Sequence, residues 1–231
     1  MPRKKHEPEF VLRELTPTRR AIAERVSQSS REIPVFHMHI LVDASALVRA
    51  RDTLKQEHGR DAPTYNDLLL KCVAGVLPDH PTFNAWYEDD ALKVCKQVNL
   101  GFAVATDEGV LMPTLFDADQ KSLLDIAAET RQLAAAAREG KLRASLQMGA
   151  TFSISNVGPV GIDAFSAVIS PPQTGILAVG SIIQRTVIGD RHSVVTPTCW
   201  LTLSVDHRAA DGMHAARFLR DLADAIQAFR L

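Results

Sequence analysis

Between Cys199 and Phe229 the chain changes its hydrophobic period, and that change limits what it can fold into. Cys199, Leu201, Leu203 and Val205 alternate with Trp200, Thr202 and Ser204, the two-residue period of a strand with distinct faces. Leu219, Leu222, Ile226 and Phe229 then recur at steps of three and four, the stripe of an amphipathic helix. Between them runs Ser204-Val205-Asp206-His207-Arg208-Ala209-Ala210-Asp211-Gly212. His207 therefore falls where a strand gives way to a helix, and Asp211 and Gly212 fall where that helix starts. Strand ends and the loops beyond them are where a rigid scaffold presents reactive groups. An imidazole there, with a carboxylate four residues on, is a candidate general base. On spacing alone the plainer reading is favoured: a surface histidine, with Asp211 as an ordinary N-cap before Met213. A metal pair of His207 and Asp211 lacks a third ligand at a recognisable spacing.

The rest of the chain alternates helices and strands in mixed order. Residues from Met1 to about Leu12 are charged, carry two prolines and show no period, so residues 1–13 read as a mobile tail or the end of a linker. Thr16-Pro17 starts a helix with Ile22 and Val26 inward, ending near Ser27–Ser30. From Val35 to Val42, Phe36, Met38, Ile40 and Val42 share one strand face and His37 and His39 the other; these two read as half-exposed strand residues, not metal ligands. Asp43 and Ser45 cap a second helix that closes near Gly59. Thr64 opens a third with Leu68, Leu69, Val73, Val76 and Leu77 inside, ended by Pro78 and Pro81. Val98–Ala105 and Val110–Leu115 flank a turn at Asp107-Glu108-Gly109 and predict a hairpin. Ser122 caps a long helix through Leu123, Leu124, Ile126, Leu133 and Ala137, stopped at Gly140. Thr151–Asn156, Ala164–Ile169 and Ile176–Val187 read as further strands, with a turn at Gly189-Asp190. Mixed order with hairpins predicts an α+β domain spanning residues 14–231, not a doubly wound parallel sheet.

Composition narrows the function classes. At 231 residues and 46% hydrophobic, the chain is long enough to bury a sizeable core. A formal net charge of −1 gives no nucleic-acid or anionic-membrane surface. No apolar run approaches the roughly 20 residues of a membrane span, and Met1–Pro8 has no apolar stretch for a secretion signal. Cys72, Cys95 and Cys199 are few, odd in number and far apart, so they read as reduced thiols of a cytoplasmic protein.

A second segment carries chemistry. Thr151-Phe152-Ser153-Ile154-Ser155-Asn156-Val157-Gly158 is a strand ending in small polar residues and glycine. Its spacing is not that of a Gly-x-Ser-x-Gly nucleophile elbow, so a serine-hydrolase reading fails. The segment resembles the Thr-Phe-Thr-Ile-Ser-Asn-x-Gly motif of the dihydrolipoyl acyltransferase component of 2-oxo acid dehydrogenase complexes, and Asp206-His207-Arg208-x-x-Asp211-Gly212 resembles that family's second signature. The looser His-x-x-x-Asp-Gly is shared with chloramphenicol acetyltransferase and with peptide-synthetase condensation domains, but the former carries a His-His pair where this chain has Asp206-His207. Flanking pieces agree: Arg19-Arg20-Ala21-Ile22-Ala23, Ile33-Pro34-x-Phe36, Val98-Asn99-Leu100-Gly101-Phe102-Ala103-Val104 and Ile176-Leu177-Ala178-Val179-Gly180. The resemblance runs from about Leu15 to Phe229.

The resemblance implies a chloramphenicol acetyltransferase-like fold, a mixed sheet with flanking helices, in trimers with active sites at the subunit interface. It implies acyl transfer between the thiol of dihydrolipoamide, on a lipoyl domain, and coenzyme A as substrate, without a metal. By that likeness His207 is the general base and Ser155 the oxyanion donor. Asp211 would hold the site in shape through an ion pair, with Arg19, Arg20 and Arg25 as candidate partners, and Asp211→Asn would cost stability and rate. No residue is assigned to cofactor binding. The chain shows no lipoyl domain or peripheral-subunit-binding domain, so the lipoyl group is expected from a separate domain or chain, or from a missing N-terminal region. Gly109-Val110-Leu111-Met112-Pro113-Thr114 and Ser170 depart from the family pattern at positions expected to shape the substrate channel. Ala228-Phe229-Arg230-Leu231 lacks the usual proline and leucine-rich tail, which favours a trimer over a cubic or icosahedral core. Two other readings stay open: a coenzyme A-dependent acetyltransferase acting on a small molecule, and a non-catalytic core scaffold subunit.

Overall fold

Side-chain caps start four of the five helices among the described residues. The computed structural model describes residues 9–188 and 193–231; the turn read at Gly189-Asp190 and the first eight residues of the tail lie outside them. Helix α1 (Pro17–Glu32) begins where the Thr16 hydroxyl accepts from the Arg19 N–H, and it runs two residues past the serine cluster. Helix α3 (Tyr65–Val76) opens on a capping box of Thr64 and Asp67, and α4 (Leu123–Arg138) on one of Ser122 and Asp125. Helix α5 (Gly212–Gln227) is capped by Asp211. The exception is α2 (Ser45–His58): its N-cap residue is Ala44, and the expected Asp43 acts from one position earlier, its carboxylate accepting the Ser45 N–H at 2.7 Å. Gly59 and Gly140, at φ +57° and +68°, follow α2 and α4 as stop residues.

Seven strands form one mixed sheet in the order β1-β11-β9-β8-β4-β7, with β10 also paired to β11. They are β1 (Val35–Asp43), β4 (Leu100–Phe102), β7 (Thr114–Leu115), β8 (Phe152–Asn156), β9 (Gly175–Val179), β10 (Ile183–Ile188) and β11 (Ser193–Asp206). Strand β8 is parallel to both β4 and β9; the other pairs are antiparallel. The expected α+β class with a mixed sheet and flanking helices is the architecture observed. The hairpin expected around residues 107–109 forms between β5 (Val104–Thr106) and β6 (Gly109–Leu111), interrupted from β4 at Ala103 and from β7 at Met112-Pro113.

One sheet face packs on α2–α5. Leu201, Leu203 and Val205 of β11, Leu177 and Val179 of β9, and Ile154 of β8 meet Phe218, Leu222 and Ile226 of α5 in the main core. Asp67, buried at the start of α3, accepts the Thr130 hydroxyl of α4 at 2.6 Å and ties these two helices together. The other face is more polar. His37 Nδ1 lies 3.0 Å from Ser204 Oγ and His39 Nδ1 2.8 Å from Thr202 Oγ1, cross-strand pairs that account for both histidines. Burial, and then the neighbouring His39, lowers the His37 pKa.

Three sequence expectations are corrected. Residues 164–169 form no strand: this segment crosses the polar sheet face, and side chains serve its carbonyls, Ser204 Oγ donating to Ala167 O and Ser29 Oγ to Ile169 O. Its alternation is that of an extended cover with one face down. The strand read over Ile176–Val187 is two: the Gly180 N–H still keeps the β9–β11 register by donating to Trp200 O, and the break comes at Ser181, whose N–H turns to Ile162 O at 2.8 Å. Helix α1 does not turn Ile22 and Val26 into the core of its own chain; Ile22 is half-buried and Val26 is 44% exposed. A further hairpin, β2 (Ala85–Glu88) with β3 (Ala91–Val94), joins the set and turns through Asp89 and Asp90 at positive φ.

Candidate active site

Strand β11 ends at the fully buried Asp206, whose N–H donates to Thr174 O. The next residue, His207, is anchored through its own N–H to Pro34 O at 3.0 Å, while its exposed ring rests on Phe36 with centroids 4.8 Å apart. Four positions on, the Asp211 carboxylate accepts the Met213 and His214 N–H groups at 2.9 and 3.1 Å and lies 2.7 Å from His214 Nδ1. Those bonds, His214 first, hold the Asp211 carboxyl below the usual carboxylate range. Among the described residues Asp211 forms no pair with an arginine, Arg19, Arg20 and Arg25 included; its carboxylate is turned onto its own first helical turn and faces His214. The guanidinium nearest in sequence, that of Arg208, is bound to Asp206.

Ser155 sits on β8 between Ile154, which enters the core, and Asn156, so its side chain belongs to the polar sheet face. Asn156 Oδ1 accepts the Gly158 N–H at 2.9 Å and closes the turn after the strand. A Cβ on Gly158 would meet Gly180 O at 2.7 Å, so the motif's glycine is required by backbone passing against backbone. Ser155 lines a groove of about 1030 Å³ walled by Ile22, Val26, Met112, Met148, Phe165 and Ile169. Of the residues that depart from the family pattern, Val110 and Ser170 line it and Thr114 does not; Met112, between them in sequence, lines it as well. His207 does not.

Register measures the gap between the two candidate groups. Ser155 pairs with Ala178, and Ala178 with Thr202, five residues before His207. Strand rise and spacing then set His207 ~16 Å along the sheet and ~10 Å across it from Ser155, a separation of ~19 Å. One chain alone does not bring base and oxyanion donor together.

The remaining nucleophiles are quiet. Burial pushes the Cys72 thiol up to about 12 and the Cys199 thiol to about 11, and raises Cys95 as well. No group of three or more His, Cys, Asp or Glu among the described residues is placed to hold a metal ion. No helix among them is long and apolar enough to cross a membrane.

Residues 7–231 match the family model of the 2-oxoacid dehydrogenases acyltransferase (catalytic domain). The chain belongs to this family. The match begins inside the stretch read as a tail. Among curated relatives, the dihydrolipoyllysine-residue acetyltransferase components of the pyruvate dehydrogenase complexes of Rickettsia bellii and Zymomonas mobilis are 35% and 36% identical over 87% and 89% of this chain. The chain spans about half the length of each, 49% and 47%. The crystal structure of Azotobacter vinelandii dihydrolipoamide acetyltransferase superposes with a TM-score of 0.92 at 33% identity, covering 95% of this chain and 92% of that one. That work concerns a serine, a histidine and an asparagine in the catalytic mechanism, 52 and four positions apart. Ser155, His207 and Asp211 stand at the same two spacings. The cubic core of a pyruvate dehydrogenase multienzyme complex also superposes with a TM-score of 0.92 at 33% identity, covering 98% of this chain and 94% of that one. A chloramphenicol acetyltransferase, at 13% identity and a TM-score of 0.56, shares the fold.

The catalytic-domain family thus has its two signature segments in this chain on the ends of two sheet strands. Sequence reasoning found both. It missed Tyr87, whose ring covers the Arg208 guanidinium at 4.3 Å; the only local signal was an aromatic pair, Trp86-Tyr87, ahead of Asp89-Asp90.

Proposed function

We propose that the protein transfers an acetyl group between the thiol of dihydrolipoamide and coenzyme A, in a trimer whose active sites lie between subunits. The observation that carries this reading is the split: two groups with the spacing of a catalytic pair stand ~19 Å apart in one chain, so a neighbouring copy must bring the second. The acetyl group and the lipoyl partner follow the named activity of the curated relatives. The lipoyl group would arrive on a separate domain or on a part of the protein outside these residues.

The chemistry needs little else. A thiol has a pKa near roughly 8.5 and is mostly protonated at neutral pH. His207 takes the proton as sulfur attacks the thioester carbonyl, and the Ser155 hydroxyl of the neighbouring subunit donates to the oxyanion. Collapse of the tetrahedral intermediate breaks the old C–S bond, and the departing thiolate recovers the proton from the imidazolium. The apolar wall of the Ser155 groove suits an uncharged thioester arm, and Met112 and Ser170 are placed to set how large an acyl group enters.

The test is acyl transfer between acetyl-coenzyme A and dihydrolipoamide. Wild-type protein should turn over, and His207→Ala should slow the reaction by roughly a hundredfold or more. A folded trimer inactive with acetyl, propionyl and branched acyl groups would reject the reading. Activity on small alcohols or amines but not on dihydrolipoamide would replace the acceptor.

A further inference from the structure

The turn that presents His207 is held from both sides in sequence. Asp206 accepts the Arg208 N–H at 3.0 Å and the guanidinium through Nε at 3.0 Å and Nη2 at 2.7 Å. The same residue's carbonyl accepts the N–H groups of Ala209 and Ala210 at 3.0 and 3.1 Å. The Arg208 fork and the tight turn around His207 thus share one buried anchor.

The other face of the guanidinium is covered by the Tyr87 ring, with Cζ 4.3 Å from the ring centroid, inside the range of a cation–π contact. Tyr87 is fixed independently of Arg208. Its N–H donates to Pro172 O at 2.8 Å, and its hydroxyl donates to Asp90 Oδ1 at 3.0 Å. Beside this stack lies a cavity of about 470 Å³ that Glu32, Glu88, Asp89 and Asp90 line together with Arg208. Glu88 and Asp89 are already paired with Lys93 at 2.8 and 3.4 Å and Asp90 accepts the Tyr87 hydroxyl, whereas Glu32, among the described residues, is met only by the neutral Gln28 amide and offers a released guanidinium an alternative to Asp206.

We propose that Tyr87 is a positioning residue for His207: its ring keeps the Arg208 guanidinium on Asp206, against the pull of Glu32 across the cavity, and so fixes the turn that carries the imidazole. The inference rests on reading His207 as the base. Small misplacements of a catalytic group are costly because the reacting atoms must meet in near-attack geometry. The expected signature is a loss in kcat at unchanged KM, since Tyr87 lies outside the groove that Ser155 lines.

The experiment measures kcat, KM and Tm for Tyr87→Phe, Tyr87→Leu, Arg208→Lys and the double variant Tyr87→Leu/Arg208→Lys, with His207→Ala alongside. Tyr87→Phe keeps the ring and should stay near wild type. Tyr87→Leu keeps apolar volume without the π face and should lose about fivefold in kcat, the size of an exposed cation–π contact. Arg208→Lys lacks the planar fork and should lose at least as much, and the double variant should be no worse than Arg208→Lys alone. Full kcat in Tyr87→Leu, or an equal loss in Tyr87→Phe, with His207→Ala inactive, overturns the positioning role and leaves the base reading standing. Should Tyr87→Leu fail to fold, Arg208→Lys at full kcat overturns it equally. An active His207→Ala removes the base reading itself.

Discussion

A site shared between chains has a consequence that a site within one chain does not: two dead variants should rescue each other. Ser155→Ala removes the oxyanion donor and leaves His207; His207→Ala removes the base and leaves Ser155. Each alone should fall roughly a hundredfold or more below wild type. In a closed ring of three, each site takes its histidine from one chain and its serine from the next, so equal random mixing leaves about a quarter of the sites complete. The mixed preparation should therefore recover about a quarter of wild-type activity, roughly 25-fold above either parent. Rescue inside one chain is excluded because every chain in the mixture lacks one of the two groups, and the ~19 Å separation set by the β8–β9–β11 register is what calls for the partner between chains. The assay is acetyl transfer to dihydrolipoamide on co-refolded variants carrying different tags, with mixed trimers verified by native mass spectrometry. Mixed trimers no more active than the average of their parents would refute the shared site.

Two further outcomes follow from geometry already described. Asp211→Asn should keep both fold and rate, because an amide oxygen accepts the Met213 and His214 N–H groups as the carboxylate does and a catalytic relative has asparagine at this spacing, whereas Asp211→Ala should lower Tm by several degrees in a thermal melt. The buried thiols should resist alkylation in the native protein and react freely in urea. Because the folded pKa of Cys72 is raised to about 12 against 9.0 in the unfolded chain, its stabilising effect is whole below pH 9 and lost as pH rises towards 12, so Cys72→Ala should flatten the alkaline fall of an equilibrium unfolding titration.

The sequence made the ends of β11 and β8 readable because each is announced locally. A two-residue alternation stops, and a cap or a glycine follows within a few positions. The capping boxes at Thr64 and Ser122 were readable for the same reason. What escaped was non-local. Residues 164–169 alternate like a strand, yet their carbonyls are served by Ser204 and Ser29 from elsewhere in the chain, which no local pattern encodes. The β2–β3 hairpin turns through two aspartates in the left-handed region, where asparagine–glycine would have signalled a turn. The partner of Asp211 was expected at long range and is found three residues away. Tyr87 reaches Arg208 across 121 positions, and only the folded chain sets them together.

Helix α1 ties these observations to assembly. Its apolar residues Ile22 and Val26 were expected inward, and in the single chain they instead wall the Ser155 groove while Val26 stays 44% exposed. A wall that its own chain does not bury is stabilised only by what occupies the groove or by what packs behind it. On the proposed reading both come with the neighbouring subunit, which delivers His207 and encloses the thioester arm against this helix. Excluding water there strengthens the Ser155 hydrogen bond to the oxyanion, since a donor acts more strongly in a low-dielectric site than in bulk water. The same separation in register that leaves a lone chain without a complete site therefore makes each interface of the ring complete one, so that catalysis and assembly depend on a single contact surface.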